Sequence, residues 1–358
     1  MDEPNPVLAA WKRATLNVGL DDTSLEVPEQ LPTGDVWREL LAWAEGQRVL
    51  GLLWQLANEA GFSGPMLDDL SPRAKAWSFR TLAVEGSIPS VVDLLGEASI
   101  DWRVLKGVAT SRLFYGGFGV RIFGDIDILV RPADLDRTLR ALAPITAVGA
   151  SPLHGPFRSR ALQERQVTDF RGVELDVHKA VEGSLVTSRL PVEAFFERPQ
   201  ELEVSGRTVL TSSTEVLFVH AVMHFSSAGR RFSTVPDIAR LIRRVEPDAP
   251  TVRSMLLTRS SRLLFHWALR SAGEWTQLPD AWIRFLADNA PNAVDRTAVN
   301  WVQQAPSRSS LVNLFLGRHK IRRGIETLWP TDEFLQFMQT GHLGHLRRLV
   351  VKSSDLSS

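Results

Sequence analysis

The chain has 358 residues, of which 44% are hydrophobic and 23% charged, so it can bury a substantial core and is not expected to be disordered as a whole. Its 41 basic and 41 acidic residues balance, which argues against a protein whose main task is to grip long nucleic acid. The absence of cysteine excludes a disulfide framework and any cysteine metal site.

The N-terminal segment is predicted to be helical. Apolar residues recur at helical spacing over 35–60, a Gly-Phe-Ser-Gly-Pro stretch at 61–65 interrupts the pattern, and a second helical pattern covers about 72–98. Residues 1–6 lack the basic and apolar run of a signal peptide, and the longest apolar runs, about ten residues, are too short to cross a bilayer. We therefore expect a cytoplasmic protein without membrane contact.

The pattern changes to short strands near residue 100. Elements are predicted in this order: a strand at 100–105, a helix at 108–115, a strand at 125–130 and a helix at 132–142 with proline in its first turn. Two hairpins follow, one turning at Arg171-Gly172 and the other at Ser205-Gly206. This part of the chain is therefore expected to form a β-sheet with helices around it.

The chain becomes helical again after residue 211. Ser212 and Glu215 have capping-box spacing, which predicts a helix start. Further helices are predicted at 235–246, 251–272, 279–288, 292–303, 309–317 and 332–350. The predicted organisation is a helical N-terminal part (1–84), a mixed α/β core (85–211), a helical C-terminal part (212–352) and a tail (353–358), and the fold class is α+β.

The predicted strand at 125–130 carries two carboxylates at alternate positions. Asp125 and Asp127 therefore share one face, while Ile126 and Ile128 enter the core. Two neighbouring carboxylates repel each other unless a divalent cation neutralises them, and carboxylate oxygens suit magnesium. The alternative interpretation is an ordinary exposed acidic pair at a strand start.

The predicted strand at 173–178 offers a third carboxylate. Alternation places Glu174, Asp176 and His178 on one face. If this strand lies beside the Asp125 strand, Asp176 completes a carboxylate triad that binds an ion or accepts a proton from an attacking hydroxyl, with Glu174 as the alternative for that role. Otherwise the three side chains form the solvated face of an edge strand.

A strand, a glycine and a helix precede the two carboxylates. The strand ends at Lys106-Gly107, and the helix that follows directs free N–H groups toward a phosphate, which Gly107 lets approach closely. Lys106 and Arg121 are candidates to neutralise the charge of a triphosphate. The alternatives are a lysine at a strand end and a surface arginine.

Two histidines, His220 and His224, lie four residues apart and share one helix face. They lack the glutamate of the H-E-x-x-H zinc pattern, so we interpret them as core or cleft residues rather than a metal pair. If their helix lines the cleft, one of them contacts the base or the acceptor.

Taken together, these residues resemble the DNA polymerase beta-like nucleotidyltransferase superfamily, and among its members the bacterial group of uncharacterised nucleotidyltransferases. The likeness spans about 100–180 and extends weakly to 217–237. The matching residues are Leu105-Lys106-Gly107, Phe114-Tyr115, Arg121, the strand from Asp125 to Val130, Asp176-Val177-His178, His220, His224 and Asp237.

The resemblance implies a mixed β-sheet with flanking helices, magnesium with manganese as the alternative, and an NTP donor. It implies transfer of a nucleoside monophosphate with release of pyrophosphate. The catalytic and metal-binding residues would be Asp125, Asp127 and Asp176. Those that bind the nucleotide would be Lys106, Gly107, Arg121 and His224.

The acceptor is expected to be a small molecule with a hydroxyl group, because the net charge is neutral and a helical lid suits a closed pocket. An RNA end or a protein side chain is the alternative. A second hypothesis is a non-catalytic nucleotide-binding or interaction protein, because Val108 stands where the superfamily has serine. A third is a partner of a biosynthetic or toxin–antitoxin cluster that makes contact through the basic run 317–323. No pattern indicates the nucleobase, the number of metal ions or the oligomeric state.

Overall fold

The computed structural model describes residues 5–20, 27–116, 119–146, 164–169, 171–181, 190–227 and 232–290. The helices predicted at 292–303, 309–317 and 332–350, the tail and the basic run at 317–323 lie outside the described residues. Among the helices it describes, none combines the length and the apolarity needed to cross a membrane.

The described residues before the sheet form four helices: α1 (Pro6–Asn17), α2 (Gly34–Gly46), α3 (Leu50–Glu59) and α4 (Pro65–Glu97). The prediction of one helical stretch at 35–60 is wrong, because α2 ends and α3 begins within it. Arg48 breaks the stretch with a left-handed backbone (φ 56°), and Val49 N donates to Ala44 O over 2.8 Å to close the end of α2. The second helical stretch is confirmed, and it begins earlier than predicted.

Among the described residues, the central sheet has four strands, and two helices lie between them in sequence. Its elements are β1 (Trp102–Val104), α5 (Lys106–Phe114), β2 (Asp125–Val130), α6 (Leu135–Leu142), β3 (Glu164–Thr168) and β4 (Glu174–His178). The strand order is β1-β2-β4-β3, with β2 and β4 parallel and both outer pairs antiparallel. The predicted mixed sheet is confirmed, and so is the hairpin that turns at Arg171-Gly172.

A second, two-stranded sheet is the predicted hairpin of β5 (Gln200–Val204) and β6 (Arg207–Thr211). Its end is tied to the central sheet, because the Thr211 hydroxyl donates to Val104 O over 2.7 Å. The described helices after it are α7 (Thr214–Ser227), α8 (Val235–Leu241), α9 (Pro250–Met255), α10 (Arg259–Gly273) and α11 (Asp280–Asp288).

The start of α7 differs from the prediction. The Ser212 hydroxyl donates to Phe195 O over 3.1 Å, and it is Ser213 Oγ that lies 3.5 Å from Val216 N. The capping box predicted from Ser212 and Glu215 is therefore wrong by one residue. Two serines in succession offer the same local signal, and the contact with Phe195 decides between them.

A single hydrophobic core joins the helices before the sheet, the sheet itself and the helices after it. Its fully buried members include Trp11 in α1, Leu53 in α3, Ile128 in β2, Phe218 in α7 and Trp282 in α11. The α+β fold class is confirmed. Strand β2 lies deep in this core, because Ile126 through Val130 are all buried.

Charged residues stabilise the edge of the sheet at β1. Asp101 accepts from Arg131 Nη1 over 2.7 Å and from Arg103. Partial burial raises the pKa of Asp101, but hydrogen bonds and attraction from the two arginines outweigh it and hold the pKa below its usual range. The ring of Phe196 packs against both guanidinium groups, with Cζ of Arg131 only 4.0 Å from its centroid.

Candidate metal and nucleotide site

The carboxylates predicted for the site lie on two neighbouring parallel strands. Asp125 pairs with Glu174 in register and Asp127 pairs with Asp176, which confirms that β2 and β4 are adjacent. Paired residues of parallel strands point to the same side of the sheet, so these four acidic side chains share one face. His178, opposite Leu129, follows on the same face.

Asp127 is the buried centre of this face, with a relative exposure of 7%. Its Oδ1 accepts from Lys106 Nζ over 2.8 Å and lies 2.8 Å from His178 Nε2. Burial alone would raise the pKa of the Asp127 carboxyl, but the Lys106 ammonium and the His178 ring outweigh it and hold the pKa below its ordinary value. Asp127 is therefore an ionised carboxylate at neutral pH.

Asp127, Asp176 and His178 form a group with the chemistry of a cation site. One potential ligand atom from each lies within 4.8 Å of the other two. Two carboxylates and an imidazole fit a divalent cation: the carboxylates suit magnesium, and the imidazole is better matched to manganese or another transition metal. His178 was placed on this face by sequence alternation, but the sequence did not mark it as a ligand.

Asp125 has a different neighbour. Its carboxylate, 28% exposed, lies 3.5 Å from Arg48 Nη1. The structure thus brings two of the three predicted metal ligands, Asp127 and Asp176, into one group with His178, while Asp125 adjoins the group along β2 and carries an ion pair. A role of Asp125 as a ligand stays a prediction.

Lys106 reaches Asp127 from an unusual backbone conformation. Its φ is 45°, a left-handed value that side chains other than glycine rarely adopt, at the first residue of α5. Leu105 N donates to Asp127 O over 2.9 Å, so the chain just before α5 is fixed to β2. This geometry holds the Lys106 ammonium group 2.8 Å from the carboxylate of Asp127.

Gly107 is buried, and packing against its neighbours requires a residue without a side chain. A Cβ at this position would lie 2.7 Å from Cβ of Phe123, closer than side chains tolerate. The absence of a side chain therefore lets α5 approach the residue that leads into β2. A contact of Gly107 with phosphate stays a prediction.

Arg121 is part of a buried network with Asp237 of α8. Its Nη2 and Nε donate to the two carboxylate oxygens over 2.9 and 3.0 Å, and the Tyr115 hydroxyl donates to Asp237 over 2.7 Å. Burial lowers the pKa of Arg121, but the attraction of Asp237, with smaller effects of Tyr115 and Asp125, raises it above its ordinary value. The predicted contact of Arg121 with a nucleotide stays a prediction, because its guanidinium has a protein partner here.

His224 lies on α7, half-buried beside His220, with 6.1 Å between the two ring centroids. His220 is buried and meets the ring of Phe195 edge-on at 5.7 Å. The prediction that the two histidines share one helix face is confirmed. Binding of nucleotide by His224 stays a prediction.

Three residues of the N-terminal part border the site and were not assigned to it from the sequence: Arg48, between α2 and α3, and Trp77 and Arg80 of α4. Besides its ion pair with Asp125, Arg48 has its Cζ 5.9 Å from the ring centroid of Trp77. Arg80 lies at the same distance from Trp77, and its Nη2 donates to Gly124 O over 3.2 Å. No local pattern announces these contacts, because the residues come from other elements far away in the sequence.

A mixed sheet with clustered carboxylates on the central parallel strands is the arrangement expected of a nucleotidyltransferase. The chain belongs to the uncharacterised nucleotidyltransferase family, whose model matches residues 33–277. The match includes the whole of the site, from Arg48 to Asp237.

Comparison with solved structures adds little. The crystal structure of an antigenic nucleotidyltransferase-like protein from Paracoccidioides brasiliensis shares 17% sequence identity over 56% of this chain and 96% of that one. The TM-score between the two structures is 0.31. None of the curated proteins matches the chain.

Proposed function

We propose that the protein is a metal-dependent nucleotidyltransferase that transfers a nucleoside monophosphate from an NTP to an acceptor and releases pyrophosphate. One observation carries the proposal: Asp127 and Asp176 lie side by side on parallel strands, and with His178 they place three potential ligand atoms within 4.8 Å of one another. Membership of a nucleotidyltransferase family supports it.

The residues that would hold the cation are Asp127, Asp176 and His178, and Asp125 is a further candidate on the same face. Magnesium is the first choice, with manganese as the alternative that the imidazole favours. A divalent cation bound there would offset the negative charge of the donor phosphates and the charge that develops in phosphoryl displacement.

The side chains of the site have separate tasks in this proposal. The acceptor oxygen attacks the α-phosphorus, the bond from that phosphorus to the oxygen shared with the β-phosphate breaks, and pyrophosphate leaves. Asp176 takes the proton of the acceptor hydroxyl, because it lies beside Asp127 on the same face of the sheet and is less buried than Asp127. Glu174 is the alternative base.

Lys106 supplies positive charge to the phosphates. Its side chain is 23% exposed, and its ammonium lies 2.8 Å from one oxygen of Asp127, so it is close to the place where phosphates on a cation at this site would lie. Arg121, Gly107 and His224 are retained as proposed contacts of the nucleotide. A contact of Arg121 with the nucleotide competes with its ion pair to Asp237. The main role of Arg121 would therefore be to fix the segment that leads into β2.

A small molecule with a hydroxyl group is the proposed acceptor, and an RNA end or a protein side chain is the alternative. A second candidate function, nucleotide binding without transfer, is favoured by one observation. Val108 stands where the superfamily has serine, and its side chain is buried, while Gly107 before it packs against Phe123. The start of α5 therefore lacks the serine hydroxyl of related enzymes.

The proposal is tested by thermal unfolding with each of the four NTPs, with and without magnesium or manganese. Ligand at about 100 times its dissociation constant adds roughly 2.7 kcal/mol, so one NTP should raise the melting temperature of the wild type by several degrees only when metal is present. Asp176→Asn should abolish that shift.

Asp93→Asn is the matched control, because Asp93 is an exposed carboxylate of α4 paired with Arg207. It should keep the full response. The proposal is contradicted if no NTP stabilises the wild type with metal, or if Asp176→Asn responds as the wild type does. Metal-dependent binding without pyrophosphate release for any acceptor class would instead favour the non-catalytic candidate.

A further inference from the structure

Arg48 holds a backbone conformation that its side chain disfavours. It follows the end of α2, where its N–H donates to Glu45 O over 3.0 Å and Val49 N donates to Ala44 O over 2.8 Å. This is the helix ending in which glycine usually takes the left-handed position, yet arginine stands there with φ 56°. Residues kept in strained conformations are concentrated at functional sites.

The guanidinium group of Arg48 has donors to spare. Within the part of the chain that the structure describes, its polar contact is the ion pair with Asp125 at 3.5 Å, longer than the 2.7–2.9 Å or so of a charge-assisted hydrogen bond. A guanidinium carries five N–H donors, and this side chain is 40% exposed. It can therefore accommodate a second, stronger anionic partner at the edge of the carboxylate group.

Arg80 points to the same place from α4. Its guanidinium donates to Gly124 O over 3.2 Å, directly before Asp125, and it shares the ring of Trp77 with Arg48, at 5.9 Å for both. A Cβ at Gly124 would lie 2.7 Å from Arg80 Nε, so the glycine leaves the room that this guanidinium occupies. The hydrogen bond to Gly124 O uses one N–H donor of Arg80, and Arg80 is an exposed residue.

Helix α3, which follows Arg48, and helix α4, which carries Arg80, are packed tightly against the segment that leads into β2. A Cβ at Gly51 of α3 would lie 2.1 Å from Gly119 O and 2.4 Å from Val120 O, and one at Gly119 would lie 2.6 Å from Ser78 Oγ of α4. These close approaches fix Arg48 and Arg80 relative to Asp125. The backbone positions from which Arg48 and Arg80 extend are therefore set by the packing of the fold.

We propose that Arg48 and Arg80, with Trp77 between them, form an anion-binding wall for the triphosphate of the nucleotide, and that Arg48 exchanges Asp125 for a phosphate when the donor binds. The fork of a guanidinium matches two oxygens of a phosphate, and an aromatic ring holds such a fork flat. The exchange leaves the Asp125 carboxylate free to face the cation. This inference rests on the proposed function and extends it to the N-terminal helices.

The structure provides an unusually clean variant, Arg48→Gly. Glycine is the residue that the backbone prefers at φ 56°, so this variant should melt no lower than the wild type. It should bind the NTP that best stabilises the wild type roughly 10- to 100-fold more weakly in the presence of magnesium, as measured by calorimetry. Manganese alone, followed by electron paramagnetic resonance, should bind at least as tightly, because Asp125 loses its competing cation.

Arg198→Gly is the matched control, since Arg198 has φ 45°, is exposed and contacts Thr251 rather than the carboxylates. It should leave NTP affinity unchanged. Arg80→Met keeps the apolar stem against Trp77 and should also weaken NTP binding. Inorganic tripolyphosphate with magnesium serves as a second probe, which tests the wall without a nucleoside.

The results separate the inference from the proposed function. If Arg48→Gly and Arg80→Met bind the NTP as the wild type does, the wall is overturned while the proposed function stands. If Arg48→Gly loses manganese and NTP affinity together, Arg48 acts by shaping the cation site, and the exchange is overturned. If the wild type binds tripolyphosphate in an Arg48-dependent manner but no NTP, the wall stands and the proposed function fails. If neither ligand binds, both are overturned.

Discussion

The buried ion pair between Arg121 and Asp237 connects the segment before β2 to α8, and Asp237→Asn is the change that probes it. The side chains are 12% and 6% exposed, and the nearest contact is 2.9 Å. Removing one charge from such a pair costs about 3–5 kcal/mol, because the other charge remains buried without compensation. The amide keeps one acceptor for the guanidinium, so we expect a loss near the lower end, about 3 kcal/mol.

Urea unfolding of the wild type and the variant measures this loss, and thermal unfolding should show a fall of roughly 4 °C. Asp248→Asn is the control, because its ion pair with Arg253 is 76% and 69% exposed and is expected to contribute at most about 1 kcal/mol. A loss below about 1 kcal/mol for Asp237→Asn would refute the reasoning. Arg121 would then be free to leave Asp237, and its predicted contact with the nucleotide would be favoured.

Three further predictions concern single residues. Gly107→Ala should lower the free energy of unfolding by about 1–3 kcal/mol, because its Cβ would meet Phe123 at 2.7 Å in a buried place; urea unfolding measures this, and an unchanged midpoint would contradict it. Gly124→Ala should displace the guanidinium of Arg80 and weaken NTP binding with little loss of stability, which calorimetry and thermal unfolding together can show; unchanged affinity would count against the wall. Asp101→Asn should be less stable than the wild type at neutral pH. Because the folded pKa of Asp101 is lowered, the difference should be present above its unfolded pKa of about 4 and disappear as the pH falls through the folded value, and a difference that grows in acid would contradict the sign.

The strands that carry the site could be predicted because their signals are local. Alternating residues defined β2 over the range that the structure has, 125–130, and the Arg171-Gly172 turn identified the hairpin of β3 and β4. The shared face of Asp127 and Asp176 followed from the same alternation once the strands were neighbours. Local patterns therefore predicted which carboxylates share a strand face, whereas the adjacency of β2 and β4 is a finding of the structure.

The cationic side of the site could not be predicted in this way. Arg48 follows the end of a helix in a left-handed conformation that usually calls for glycine. Because an arginine in the sequence does not indicate a helix end, the stretch 35–60 was predicted to be continuous. Arg121 has the composition of a phosphate ligand, but its partner Asp237 comes from a helix far along the chain. Contacts of this kind depend on tertiary packing, which a single sequence does not display.

The central claim is that the carboxylates of β2 and β4 hold a divalent cation that binds the nucleotide. Its most direct test is a crystal structure with manganese and a non-hydrolysable analogue of the preferred NTP, in which anomalous scattering locates the metal. We predict a metal peak about 2.0–2.6 Å from carboxylate oxygens of both Asp127 and Asp176, with phosphate oxygens completing its coordination. A nucleotide bound elsewhere, or a metal that touches neither aspartate, would contradict the account.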